Sequence, residues 1–168
     1  MFERILAGFD GSTHSRHAVQ VASEIAGRFH SALTIVVVRP PVREEEVAQL
    51  EALVPMSEDG RTLATLLEEF RMRALALGAD VVEPVTLHGE VLESFLQYLS
   101  ENPQDLVVVG SRGLTRSRRL LLGSVSSGLV NSAQCPVLVV RPTPPPNESL
   151  GPGGEEPASG PPRAGGAG

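Results

Sequence analysis

The chain has 168 residues, 41% of them apolar, with 14 basic and 20 acidic side chains and a formal net charge of −6. That length fits one domain with a substantial core. Its apolar runs are four to eight residues long, far short of a bilayer span, so no membrane role is expected. All the basic side chains are arginine. The lack of lysine excludes Schiff-base chemistry and a Walker P-loop. The single cysteine, Cys135, excludes an internal disulfide and fits a reducing compartment. It precedes Pro136 between a helix and a strand and reads as a buried structural thiol. Residues 1–7 enter a strand at once, without a basic segment or a long apolar one. No signal peptide is expected, and the cytoplasm is the expected location.

In chain order, strands alternate with helices. Arg4 to Phe9 reads as a first strand, and Ser12-Thr13 offer N-caps for a helix marked by Ala18, Ala22, Ile25 and Phe29. Ala32 to Val38 is a second strand. Pro40 to Gly60 is irregular, with Glu44-Glu45-Glu46 as a solvated face, and reads as a short helix within a mobile crossover. Leu63, Leu67, Phe70, Ala74 and Leu77 mark a second major helix that stops at Gly78. Ala79 to Leu87 is a third strand, and its Pro84 argues for a sheet edge. Val91, Leu92, Phe95, Leu96 and Leu99 form a third helix that ends near Asn102-Pro103. Leu106 to Val109 and Val137 to Val140 have the length and branching of strands buried on both faces, with a fourth helix between them.

Strands joined by helices imply right-handed crossovers and an open parallel α/β sheet with helices on both faces. With the third strand at an edge, the expected order is 3-2-1-4-5, a Rossmann-like arrangement. Residues 1–142 form the expected domain. Residues 143–168 are 14 parts in 26 Gly or Pro and are expected to be disordered.

In that order, two loops meet at the switch point between strands one and four, where open α/β sheets bind ligands. One carries Gly8, Phe9, Asp10, Gly11 and Ser12. The other is Gly110-Ser-Arg-Gly113, followed by nine residues and then Gly123-Ser124 at a helix start. Glycines permit close approach, and a helix start offers free N–H groups and partial positive charge to a phosphate. Residues 106–147 contain no Asp or Glu but carry Arg112, Arg116, Arg118, Arg119 and Arg141. A small anion suits this basic loop. Nucleic acid is not expected, since one short loop is a poor footprint for a duplex. His14 and His17 are three apart on the first helix, with no third metal ligand evident.

The spacing G-x2-G-x9-G-[ST], complete as Gly110, Gly113, Gly123 and Ser124, resembles the nucleotide-binding pattern of the universal stress protein family, in its ATP-binding branch. The resemblance spans Phe2 to Arg141 and includes Ile5-Leu-Ala-Gly-Phe-Asp-Gly-Ser12 and Cys135-Pro-Val-Leu-Val-Val-Arg141. It implies an adenine nucleotide ligand, ATP with Mg²⁺. Asp10 would bond the ribose or sit near the adenosine, and Val38 would line the adenine pocket. Val109 and Gly110 would pack under the sugar, while Arg112 and Gly113 would face the phosphates. Gly123, Ser124, Val125 and Ser126 would give N–H and hydroxyl groups to the phosphate chain. Val37 stands where many family members have His, leaving an apolar wall. Asn131-Ser132 replaces a more basic helix end, and the Gly/Pro tail lies outside the pattern. The resemblance also implies a homodimer through strand 137–141.

Asp10 is the one carboxylate near the cradle, and no base stands poised beside it. The expected role is a nucleotide-dependent sensor or regulator of a protein partner, with at most slow ATP hydrolysis. A dimeric interaction module with a vestigial loop is the alternative. An adenylating or flavin enzyme on a related fold is disfavoured by the missing lysine.

Overall fold

The computed structural model describes residues 2–39, 61–113 and 122–142. The expected short helix in 40–60, Arg116, Arg118, Arg119 and the tail from 143 lie outside the described residues.

The strands are β1 (Arg4–Gly8), β2 (Ala32–Arg39), β3 (Val81–His88), β4 (Leu106–Gly110) and β5 (Val137–Val140). They form one sheet in the order β3-β2-β1-β4-β5, with every pair parallel. The helices are α1 (Thr13–Phe29), α2 (Leu63–Ala76), α3 (Val91–Glu101) and α4 (Ser124–Ser132). The expected order and the edge position of β3 are both present.

Strand alternation divides the core in two. Ile5, Ala7, Leu33, Ile35, Val37, Leu106 and Val108 pack with α1 and α2 on one face. Leu6, Val36, Val107 and Val109 pack with α3 and α4 on the other. The central strands are therefore covered on both sides and read as continuous apolar runs. Each large side chain so buried contributes about 1.5–3 kcal/mol of transfer free energy.

Small residues bring α1 close to the sheet: Ala18, Ala22 and Ala26 are fully buried. Ser12 caps this helix, its Oγ accepting from the Ser15 N–H at 3.2 Å. Thr62 does the same for α2, accepting from the Thr65 N–H. A Cβ on Gly27 of α1 would lie 2.3 Å from the Leu77 carbonyl oxygen, so glycine is what allows the end of α2 to close on α1.

β3 begins at Val81 rather than at Ala79. Gly78 turns with φ +102°, and the Ala79 N–H donates back to the Ala74 carbonyl. The helix ending therefore consumes Ala79 before pairing can start. β2 runs one residue beyond Val38, because Arg39 pairs with His88.

Cys135 packs partly buried against the α3–α4 core, and burial followed by the Asp105 charge pushes its thiol pKa up. That environment suits a structural thiol.

Asp105 ties the start of β4 to β1: Oδ2 accepts from the N–H groups of both Glu3 and Arg4 at 2.9 Å. These bonds, Arg4 first, hold its carboxyl below the usual range. A depressed carboxylate contributes stability above its unfolded pKa and loses it as pH falls through the folded value. Asp105→Ala is expected to lower the urea midpoint at pH 7. Its deficit from wild type should close as pH drops below about 4, and a deficit independent of pH would remove the charge from this clamp.

Candidate functional site

At the carboxyl ends of β1 and β4 the chain turns away in opposite directions, α1 to one face and α4 to the other. The crevice between the two turns is a cavity of about 360 Å³. All twelve residues expected at the site line it: Gly8, Phe9 and Asp10 after β1; Val38 at the end of β2; Val109, Gly110, Arg112 and Gly113 after β4; and Gly123, Ser124, Val125 and Ser126 where α4 begins.

The turn after β1 holds Asp10 firmly. Its Oδ1 accepts from the Ser12 N–H at 3.0 Å, an Asx-type turn. Its N–H donates to Ser15 Oγ at 3.3 Å, and that hydroxyl donates to the Ser12 carbonyl at 3.0 Å. Gly11 completes the turn with φ +87°. Across the crevice, a Cβ on Gly113 would come within 2.7 Å of Asp10 Oδ2, so the two loops nearly touch.

Ser111, 2% exposed, joins the other loop to the sheet and to α4. Its N–H donates to the Val140 carbonyl at 2.8 Å, and its own carbonyl accepts from the Gly123 N–H at 2.8 Å. The Gly123 amide is thus engaged within the protein, unlike the phosphate donor expected from the sequence. The Ser126 hydroxyl is similarly turned inward, donating to the Gly123 carbonyl at 3.0 Å. The amides of Ser124, Val125 and Ser126 form the first turn of α4 and have no acceptor among the described residues. Three helix N-terminal donors at a cavity wall are chemically suited to an anion.

The glycines divide by cause. A Cβ on Gly110 would lie 2.7 Å from the His14 backbone, so that glycine serves the packing of α1 on β4. Gly123 differs. Its φ is −70°, and an added Cβ would meet nothing closer than 3.6 Å. The fold makes no demand for glycine there.

Val37 does not line the cavity. It is 6% exposed within the α1–α2 core, because successive residues of β2 point to opposite faces and only Val38 turns toward the crevice. Ser15, Val91, Phe95 and Leu122 line the cavity without having been expected there. Val91 and Phe95 read from sequence as the apolar stripe of α3, and that stripe is also the wall that could have been inferred once α3 was placed beside β1. Among the described residues that line the cavity, Asp10 is the one carboxylate. Among the described residues no three His, Cys, Asp or Glu side chains group to hold a metal, and no helix is long and apolar enough to cross a membrane.

The profile of the universal stress protein family matches residues 1–141. The chain belongs to that family. A universal stress protein of Thermus aquaticus, named for its place in a QAH/OAS sulfhydrylase 3′ region, is 36% identical over 144 residues, covering 84% of this chain and 100% of that one. Universal stress protein UspA from Lactobacillus plantarum shares the fold at a TM-score of 0.70, with 23% identity over 83% of this chain and 98% of that one. A universal stress protein solved in complex with cAMP superposes at a TM-score of 0.63, with 29% identity over 83% of this chain and 97% of that one.

The contrast between the two glycines is measurable. Gly110→Ala is expected to lose about 1–3 kcal/mol through overpacking against α1. Gly123→Thr, which keeps a residue able to cap α4, is expected to stay within about 0.5–1 kcal/mol of wild type. Urea unfolding of both variants checks this, and equal losses would contradict the division.

Proposed function

We propose that this universal stress protein is a nucleotide-dependent regulator of the stress response that binds an adenine nucleotide, ATP with Mg²⁺, in the β1–β4 crevice. The observation that carries the reading is Gly123. It is a glycine that the fold does not require, at the N-cap of α4, lining the cavity directly before the amides of Ser124, Val125 and Ser126. Close approach of a phosphate explains it. The 29% identical relative in complex with cAMP supports an adenine nucleotide as the class of ligand.

In this reading the phosphates lie against the amides of Ser124, Val125 and Ser126, with Arg112 at the rim. The sugar lies over Val109 and Gly110, within reach of Asp10, and the base rests among Val38, Val91 and Phe95. The Asp10 carboxylate and the Ser124 hydroxyl are the groups that would help hold Mg²⁺. Phosphoryl transfer needs a group to orient the attacking nucleophile. Among the described residues, Asp10 is the one acid or base on the cavity wall besides Arg112, and Oδ1 is engaged in its turn. Binding with slow turnover follows, and the nucleotide acts by shifting a conformation that a protein partner reads. The partly exposed apolar strand β5, at a sheet edge, is the surface through which two copies would pair as a homodimer. Residues 1–142 act as the domain and 143–168 as a tail.

Isothermal titration tests the reading. Nucleotide-free wild type is expected to bind ATP saturably, with Mg²⁺ altering the affinity. Gly123→Thr should weaken binding at least about tenfold while remaining folded. A folded wild-type protein that binds no ATP would contradict the proposal and favour a module that acts through protein contacts alone.

A further inference from the structure

On the other side of the β1–α1 turn lies a second cleft of about 370 Å³, between the outer faces of α1 and α2. Its α1 wall includes Arg16, His17 and Gln20, and its α2 side carries Arg61, Glu69 and Arg73 over an apolar floor of Leu66 and Phe70. Leu66 is buried and Phe70 partly so. Among the described residues, three guanidinium groups and one carboxylate line this cleft, on a protein whose net charge is −6. That carboxylate is neutralised in place, since Arg61 Nη1 donates to both oxygens of Glu69 at 2.9 and 2.7 Å. Arg73 has no ion-pair partner among the described residues. The His17 Nδ1–H donates to the Thr13 carbonyl at 3.0 Å.

Two contacts join this cleft to the nucleotide crevice. The rings of Phe70 and Phe9 meet edge to face at 5.5 Å, and Phe9 lines the crevice. Arg16 Nε donates to the carbonyl of Gly11, at 3.4 Å, in the turn that carries Asp10. A ligand gathered by Arg16 therefore acts on the same turn that a nucleotide would touch.

We propose that the α1–α2 cleft is an effector site for a small anion with a flat apolar body, of the aryl phosphate class, and that its occupancy changes nucleotide affinity through the β1–α1 turn. The anionic head is held by Arg73 and Arg16, and the ring lies on Phe70 and Leu66. Charge-assisted hydrogen bonds supply specificity, and the floor supplies apolar contact. The linkage rests on the nucleotide reading given above; the site does not.

Phenyl phosphate is the probe, added to ¹⁵N-labelled full chain without nucleotide and compared with potassium chloride at equal ionic strength. Saturable shifts are expected in residues 13–20 and 66–73. Arg73→Gln should weaken them about five- to tenfold, whereas Gly123→Thr should leave them unchanged. Phe70→Leu should weaken binding while leaving the salt response as it was. Shifts confined to residues 123–126, or a linear response matched by chloride, would overturn the site while leaving the nucleotide reading intact. With the site occupied, the ATP affinity should change, and ATP should change phenyl phosphate affinity by the same factor. Independent binding of the two would remove the regulatory role. Binding of phenyl phosphate by a chain that binds no ATP would preserve the site and refute the nucleotide reading.

Discussion

β1 and β4 lie side by side in parallel, and the helices that follow them leave toward opposite faces of the sheet. Neither turn can then cover the other, and a crevice opens at the strand ends. The neighbouring interactions maintain this divergence. Asp105 clamps the start of β4 to β1 at the far end. Ser111 ties the β4 turn to both β5 and α4. The Ser12–Ser15 pair holds the β1 turn, with its hydroxyls engaged in local bonds. The crevice is thus an outcome of topology, and local hydrogen bonds give it shape.

Burial on both faces is what makes the divergence affordable in free energy. Ile5, Leu6, Ile35, Val36, Val107 and Val108 show no solvent exposure, and they belong alternately to two cores. A sheet anchored this way can leave the first-turn amides of α4 without acceptors among the described residues. The uncovered amides and the adjoining Gly123 are consistent with a site built for a negatively charged ligand. The α1–α2 cleft uses the same frame differently, since its cations come from side chains on helix faces rather than from a helix terminus. The two clefts lie on either side of one turn and are joined by the Phe9–Phe70 ring contact and the Arg16–Gly11 hydrogen bond.

Much of this was legible in the sequence because it rests on local periodicity. Pro84 marked an edge strand, the run Leu106–Val109 marked a buried one, and the glycine spacing placed the second loop. The similar run Val137–Val140 is not buried on both faces, because β5 ends the sheet and is partly exposed. Long-range packing was not legible. Gly110 lines the crevice as expected, but the close approach of the His14 backbone that also requires glycine there has no local signal. Val37 looked like a pocket wall, yet the two-residue period of β2 sends it into the opposite core. The inward hydroxyl of Ser126 and the engaged amide of Gly123 depend on the Ser111 carbonyl, 15 and 12 residues away respectively, which no local pattern reports. The α1–α2 cleft depends on two helices meeting that are far apart in the chain, and no local pattern singles out Arg16, Arg61 or Arg73.

The most direct measurement is the amide spectrum of ¹⁵N-labelled protein during an ATP titration. The account predicts saturable shifts centred on Ser124, Val125 and Ser126, with Gly113 and Asp10 moving at the same ATP concentration, since the two loops form one crevice. Saturable ATP binding that leaves these amides unmoved while shifting others would contradict it, as would an unchanged spectrum at saturating nucleotide.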